Sequence, residues 1–324
     1  MADHPATDNI IATTLPGMIA KVFDNVYFGT PVTTFFYMNG VFMDEPGGHN
    51  IVRTIQNQNV TNVHDYTGGF DTISATTRQA FVTASFAWKY FRGDVTWTDK
   101  EEVQNYGERA IVKLLAQKVD KFKTEHQQYL ETRCLGEYDS GDAGELSGLR
   151  TLLKKGATVG GIDPTANSNE HSWWEPKEVD KGGTAPDYDH LSELFLELSK
   201  GNTMRPNLIV STSKKYHAFK AKATSRQRFT HDGLESLGVP YTMVENIPYI
   251  PSDVDQAKAA GLEDTKVYVV STPSLEFCRS SALWMKSDGM NPLSEKGGMQ
   301  QVMRSAGNLI CTERRVNGYL KYNS

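Results

Sequence analysis

Histidine and cysteine carry the strongest potential chemistry in this chain, and their spacing limits what they can do. The histidines are His4, His49, His64, His126, His171, His190, His217 and His231, and none falls in an HExxH or other short metal-binding spacing. Cys134, Cys278 and Cys311 are far apart, and no histidine adjoins any of them. An odd, low number without short spacing reads as reduced thiols made in a reducing cytoplasm, rather than a disulfide framework or a zinc cluster. Asp187-Tyr188-Asp189-His190 has the residue types of a ligand cluster. It also opens an apolar helical pattern, where aspartates serve as caps, and that reading is preferred. Acidic residues recur from Glu137 to Glu145 but miss the order of a calcium-binding loop. Gly156-Ala157-Thr158-Val159-Gly160-Gly161 lacks the Lys-Ser/Thr ending of a phosphate loop and follows no clear strand. It reads as a helix end and a turn. No G-x-S-x-G elbow is present. Paired carboxylates are too common for spacing alone to decide. Trp173-Trp174 is open to three readings: a ligand platform, an anchor between subunits, or local packing, of which the last is preferred. The expectation is therefore no enzyme, no catalytic residue, no cofactor and no metal.

The 324 residues suffice for one large domain or two modest ones. With 39% hydrophobic and 23% charged residues, the chain belongs with folded proteins rather than disordered ones. The net charge of −5, without a long Lys/Arg run, does not suggest a nucleic-acid groove. A mildly acidic wall can still enclose a polyanion, because enclosure needs no affinity. The start shows neither a basic nor an apolar leader region, so no signal peptide is expected. No apolar run approaches the ~18 residues of a membrane span.

Periodicity divides the chain. Residues 1–46 read as an arm: Ala12, Leu15, Met18, Ile19, Val22 and Val26 suit a short amphipathic helix, and Phe35, Phe36, Tyr37 and Phe42 are anchors that must lie on a body or a neighbour. From 47 to 97 the period is two. Ile51, Arg53 and Ile55 share one face and Val52, Thr54 and Gln56 the other; Phe81, Thr83, Ser85 and Ala87 alternate with Val82, Ala84 and Phe86. With Tyr66-Thr67-Gly68-Gly69 as a turn, this is a long projecting hairpin, which is marginal alone and expects a partner surface. Arg53 and Arg78 on it are candidate ion-pair donors to a neighbouring subunit, with solvated surface charge as the alternative. Thr98 and Glu101 form a capping box, and one helix is expected from there to about 135, stopped at Gly136. About 36 residues would span roughly 54 Å.

From 137 onwards a compact α/β region is expected. Helices fall at Leu146–Leu153 and Leu191–Leu198, the latter capped by Asp189, and Ser213 caps a third that carries Tyr216 and Phe219. Asn207–Val210 and Lys266–Val270 are short buried strands, and Asn317-Gly318 is a tight-turn pair between two final strands.

This order of elements resembles the major capsid (coat) proteins of tailed bacteriophages with the Hong Kong 97 fold. Leu146-Ser147-Gly148-Leu149-Arg150, then Val159-Gly160-Gly161-Ile162-Asp163, Trp173-Trp174 and the closing Gly307-Asn308-Leu309-Ile310-Cys311-Thr312 are similar to stretches in one branch of those coats. The resemblance covers nearly the whole chain. It implies an α+β fold of the Hong Kong 97 type, with a long spine helix, an extended β-hairpin loop and a compact α/β axial domain. The divisions implied are an N-terminal arm (1–46), an extended loop over the adjacent subunit (47–97), a peripheral domain with the spine helix (98–136 and 286–324) and an axial domain (137–285). It further implies a virion component made in the host bacterial cytoplasm, with copies of itself as hexamers and pentamers in an icosahedral shell. Other partners implied are a separate scaffolding protein, a portal and a decoration protein, around packaged DNA held without sequence-specific binding and without a membrane. An α/β enzyme with a helical extension, or another self-associating viral part, remains the alternative.

Overall fold

The computed structural model describes residues 30–56, 81–104, 108–137, 144–166, 171–183, 185–201, 204–222, 241–252, 262–292 and 297–322. Among them the strands form two larger sheets and a separate two-stranded pair.

The first sheet is built around one long strand. β12 (Gly298–Cys311) pairs antiparallel with β4 (Lys89–Thr98) through ten residues, from Gly298↔Thr98 to Gly307↔Lys89. On its other side it pairs with β11 (Lys286–Pro292) and then β10 (Leu275–Ser280). β10 carries β1 (Phe42–Glu45) in parallel at the end of the sheet. Residues alternate between the faces of a strand, so Phe91, Gly93, Val95 and Trp97 point together. That face meets helix α3 (Glu108–Leu135). Phe91 packs on His126 and Tyr129, with centroids 5.9 and 5.6 Å apart. At Gly93 a Cβ would lie 2.4 Å from the Phe122 ring, so glycine there lets the helix approach.

The capping box forms: Thr98 N donates to Glu101 Oε2 (3.1 Å), and Glu101 N donates to Thr98 Oγ1 (3.4 Å). The helix it starts is not the single rod expected. α2 (Asp99–Gln104) is separated from α3 by 105–107, which lie outside the described residues. Lys118 Nζ nonetheless reaches Glu101 Oε2 at 2.7 Å and the Thr96 carbonyl at 2.6 Å. In a straight helix those residues would be about 25 Å apart along the axis, far beyond a lysine's reach. The chain therefore turns back after α2, and the rod is α3 alone, 28 residues and about 42 Å long. Gly107, the one glycine in the run, falls in the segment between the two helices.

Residues 31–45, expected in the arm, belong to the body. α1 (Pro31–Met38) buries Val32, Phe35 and Phe36 in the main core, and β1 adds a strand. Residues 1–29 lie outside the described residues.

The second sheet has the order β5-β13-β9-β6-β8-β7, from β5 (Lys177–Asp180), β6 (Leu208–Ser211), β7 (Thr242–Val244), β8 (Ile247–Pro251), β9 (Lys266–Val270) and β13 (Gly318–Lys321). The expected buried strands are β6 and β9, and they pair with each other. Ile209, Val267 and Val269 pack beneath α5 (Tyr188–Ser199) and α6 (Ser213–Lys222) with Leu191, Leu194, Leu198 and Phe219. Leu208, Val210, Tyr268 and Val270 face the main core. Both faces are covered, which explains the unbroken apolar runs.

One sequence expectation fails at the C-terminal corner. Asn317-Gly318 makes no hairpin; β12 and β13 belong to different sheets. Asn317 is buried: its Oδ1 accepts from Ser271 N (2.7 Å), and its Nδ2 donates to Ser274 Oγ (2.7 Å) and the Glu313 carbonyl (3.0 Å). A Cβ on Gly318 would sit 2.7 Å from the Lys177 carbonyl, so the glycine serves the close pairing with β5.

Candidate assembly surface

The residue clusters that could have done chemistry do structural work. Asp187, not Asp189, caps α5, its Oδ1 accepting from Tyr188 N at 2.7 Å. His190 Nδ1 lies 3.4 Å from Tyr322 Oη. In the glycine segment Gly156, Gly160 and Gly161 take positive φ, and Val159 and Ile162 bridge each other's backbones. Leu149–Leu152 forms one turn, α4. Trp174 is buried and donates from Nε1 to the Val159 carbonyl at 3.0 Å, while Trp173 lies beside it. Glu137 pairs with Arg150 and Lys154, and Glu145 with Arg133. All three cysteines are buried; burial pushes the thiols of Cys278 and Cys311 up to about 12 and about 11, away from nucleophilic thiolates. Among the described residues no group of His, Cys, Asp and Glu could hold a metal ion.

What remains is a candidate surface for association. β2 (Asn50–Gln56) and β3 (Phe81–Ala87) pair in register from Asn50↔Ala87 to Gln56↔Phe81. Their inner face does not project: Ile51, Ile55, Ala84 and Phe86 are buried in the subunit's own core. Ser85 N donates to the Gly160 carbonyl at 2.9 Å, and Asn308 Nδ2 to the Ala87 carbonyl at 3.0 Å. A Cβ on Gly160 would meet Phe86 Cζ at 2.9 Å and Ala84 Cβ at 3.0 Å. The glycine loop is thus the seat of the hairpin base, a role spacing did not reveal.

The outer face of that base is exposed and uncharged. It consists of Asn50, Val52, Thr54 and Gln56 opposite Ala87, Ser85, Thr83 and Phe81, with Val52 and Phe81 about half exposed. The middle of the expected projecting hairpin, 57–80 with Gly68-Gly69 and Arg78, lies outside the described residues. Arg53 is paired within its own subunit. Its Nε donates to Glu276 Oε2 at 2.8 Å and its Nη2 to Glu45 and to Cys278 Sγ, all in the same subunit. It lies on the inner face, where an unpaired guanidinium would be costly, and so it rivets the hairpin base to β1 and β10.

Two buried polar anchors hold the surrounding frame. Glu131 on α3 has no exposed surface. It accepts from Val32 N (3.1 Å) and Thr33 N (2.7 Å) at the start of α1, and from Ser252 Oγ (2.8 Å) beyond β8. Burial raises its pKa, while these donors favour the charged form. Arg314, equally buried, donates to the carbonyls of Leu152 (2.7 Å), Lys154 (2.7 Å) and Ala157 (3.1 Å), with its guanidinium over Trp174. Burial brings its pKa down to about 10, still charged at neutrality. Neither residue stood out in the sequence, where a lone Glu on a helix or Arg before a strand carries no signal.

No protein-family model and no curated sequence matches the chain. Solved structures do. The cyanophage A-1(L) capsid subunit is similar with a TM-score of 0.63 at 14% identity, over 88% of this chain and 92% of that one. The capsid of the native GTA particle gives 0.55 at 12% identity, over 89% and 90%. The capsid of Myoviridae phage XM1 gives 0.52 at 12% identity, over 89% and 91%. This chain therefore has the α+β fold of phage capsid subunits of the Hong Kong 97 type.

Proposed function

We propose that this chain is a major capsid protein, a structural subunit that self-assembles into the icosahedral head shell around a double-stranded DNA genome. The observation that carries the reading is the end-to-end likeness to capsid subunits, covering about nine-tenths of each chain. The uncharged outer face of the hairpin base suits it, since residues such as Val52 and Phe81 can be buried on a neighbour without desolvating a charge.

In this reading α3 with the first sheet forms the peripheral part, the second sheet with α5 and α6 the axial part of hexamers and pentamers, and the extended loop within 47–97 reaches over the adjacent subunit. Each contact is weak alone, and a subunit touching several copies gains stability by closure. A separate scaffolding protein, a portal and a decoration protein are the expected partners, with DNA enclosed without sequence readout. The chain acts as a non-enzyme of the virion, made in the cytoplasm of a host bacterium.

Negative-stain microscopy of the purified protein, alone and with co-expressed scaffold, tests the proposal. Closed isometric shells are expected. A small discrete oligomer in both preparations, or open tubes, would refute it.

A further inference from the structure

β4 pairs with β12 on one side and leaves its other edge open. The direction of its free backbone groups follows from the register. Ala306 N donates to the Leu283 carbonyl at 3.0 Å, on the side of β12 away from β4. Ala306↔Tyr90 is therefore a pair that exchanges no backbone bonds, and Tyr90 turns its own N–H and C=O to the open edge. By alternation Arg92, Asp94 and Thr96 do the same. The Thr96 carbonyl agrees, since Lys118 Nζ reaches it at 2.6 Å. From Tyr90 to Asp94 the outward N–H and C=O groups meet no partner among the described residues. Natural sheets blunt such an edge with a proline, a bulge or a very short strand. At the other edges of this sheet, β11 has a bulge between Ser287 and Met290, and β1 has four residues followed by Pro46. β4 runs ten residues in unbroken register and contains no proline. Tyr90, 66% exposed, stands at one end of the open stretch.

We propose that β4 pairs edge to edge with β4 of a second copy of this chain, antiparallel about a two-fold axis at Gly93. The inference rests on the capsid reading, because an icosahedral shell contains two-fold contacts of this isologous kind. Charge selects the register. Arg92 and Asp94 are exposed on the face away from α3. Centred on Gly93, Arg92 of each copy lies opposite Asp94 of the other, so both cross-strand pairs are of opposite sign. Centring on Arg92 or on Asp94 would set like charges opposite one another, which destabilises a sheet. The same two residues turn their backbone groups outward, so these pairs exchange about four backbone hydrogen bonds in all. Tyr90 comes opposite Thr96, whose carbonyl stays with Lys118, and the pairing ends there. Such a contact is weak alone and adds to the others in a closed shell.

Two charge-reversal variants test it. Arg92→Asp makes both charges of the open stretch negative, and Asp94→Arg makes both positive; circular dichroism checks that each folds. At about 0.1 M salt the concentration needed for shell assembly should rise at least about tenfold for either variant alone. An equimolar mixture of the two should return to within about threefold of the parent, because each strand then meets one of opposite charge. A defect confined to one subunit is not relieved by mixing. The gap between variants and parent should shrink near 1 M salt, where the screening length falls to about 3 Å. Under oxidation, mixed shells of Arg92→Cys and Asp94→Cys subunits should form a disulfide between positions 92 and 94 of different copies, identified by mass spectrometry; the three native cysteines are buried. Normal assembly by both folded reversal variants, a defect that mixing does not repair, or shells without the 92–94 link each overturn the proposal and leave the capsid reading standing. Failure of the parent protein to form shells strikes the capsid reading itself.

Discussion

Replacing Arg314 by methionine should unfold the seat of the hairpin as well as weaken the fold. The guanidinium makes three bonds, to Leu152, Lys154 and Ala157, and has no exposed surface. Hydrogen bonds to a charged donor are worth about 1.5–3 kcal/mol each, and the stranded carbonyls add a desolvation cost. Relief of burying the charge offsets part of this, leaving a net loss of about 3–5 kcal/mol. That is a large share of the about 5–15 kcal/mol that holds a typical domain together. Urea unfolding of unassembled subunits, followed by far-ultraviolet circular dichroism, measures the loss. Arg314→Lys should fall between, because a single ammonium cannot span three carbonyls. The carbonyls lie just before Gly160, which receives Ser85 N, so amide exchange in 81–87 should speed up in the methionine variant. A loss under about 1 kcal/mol, or unchanged exchange in 81–87, would refute the argument that this residue organises the seat.

Further outcomes follow from the same geometry. Replacing 57–80 by Asn-Gly between the paired residues Gln56 and Phe81 should leave a subunit with near-parental urea stability that forms no closed shells; normal particles in the microscope would remove 57–80 from assembly. Gly160→Ala should cost about 1–3 kcal/mol, since its Cβ meets Phe86 in a left-handed backbone, whereas Gly161→Ala, with no atom near, should cost less; equal losses would dismiss the close contact. Arg53→Gln should cost about 1–2 kcal/mol, discounted for its partial exposure, and should loosen 50–56 in hydrogen exchange; an assembly defect with unchanged stability would return it to the interface. His126, wedged between Phe91 and Phe122, has its pKa lowered by burial to about 4. The unfolded chain therefore binds the proton first as pH falls, so stability drops between about pH 6.5 and 4, by up to about 3 kcal/mol. His126→Phe should flatten that part of the urea-midpoint profile relative to the parent, and parallel profiles would contradict it.

The sequence by itself determined the local elements whose cause is local. Period-two alternation marked the strands that became β2 and β3; the Thr98–Glu101 box marked a helix start; and apolar runs marked β6 and β9 as buried strands. These signals work because a face of a strand or the first turn of a helix is specified within a few residues. Only the tertiary structure decided where each element goes. It showed that the chain reverses after α2, because the contact of Lys118 with Glu101 lies seventeen residues apart in sequence. It turned Arg53 inward onto Glu276, 223 residues away, and gave Asn317 to a buried corner instead of a hairpin turn. It also found the two anchors, Glu131 and Arg314. A buried charge is defined by the distant backbone groups that solvate it, and no window of sequence contains both sides of that contact.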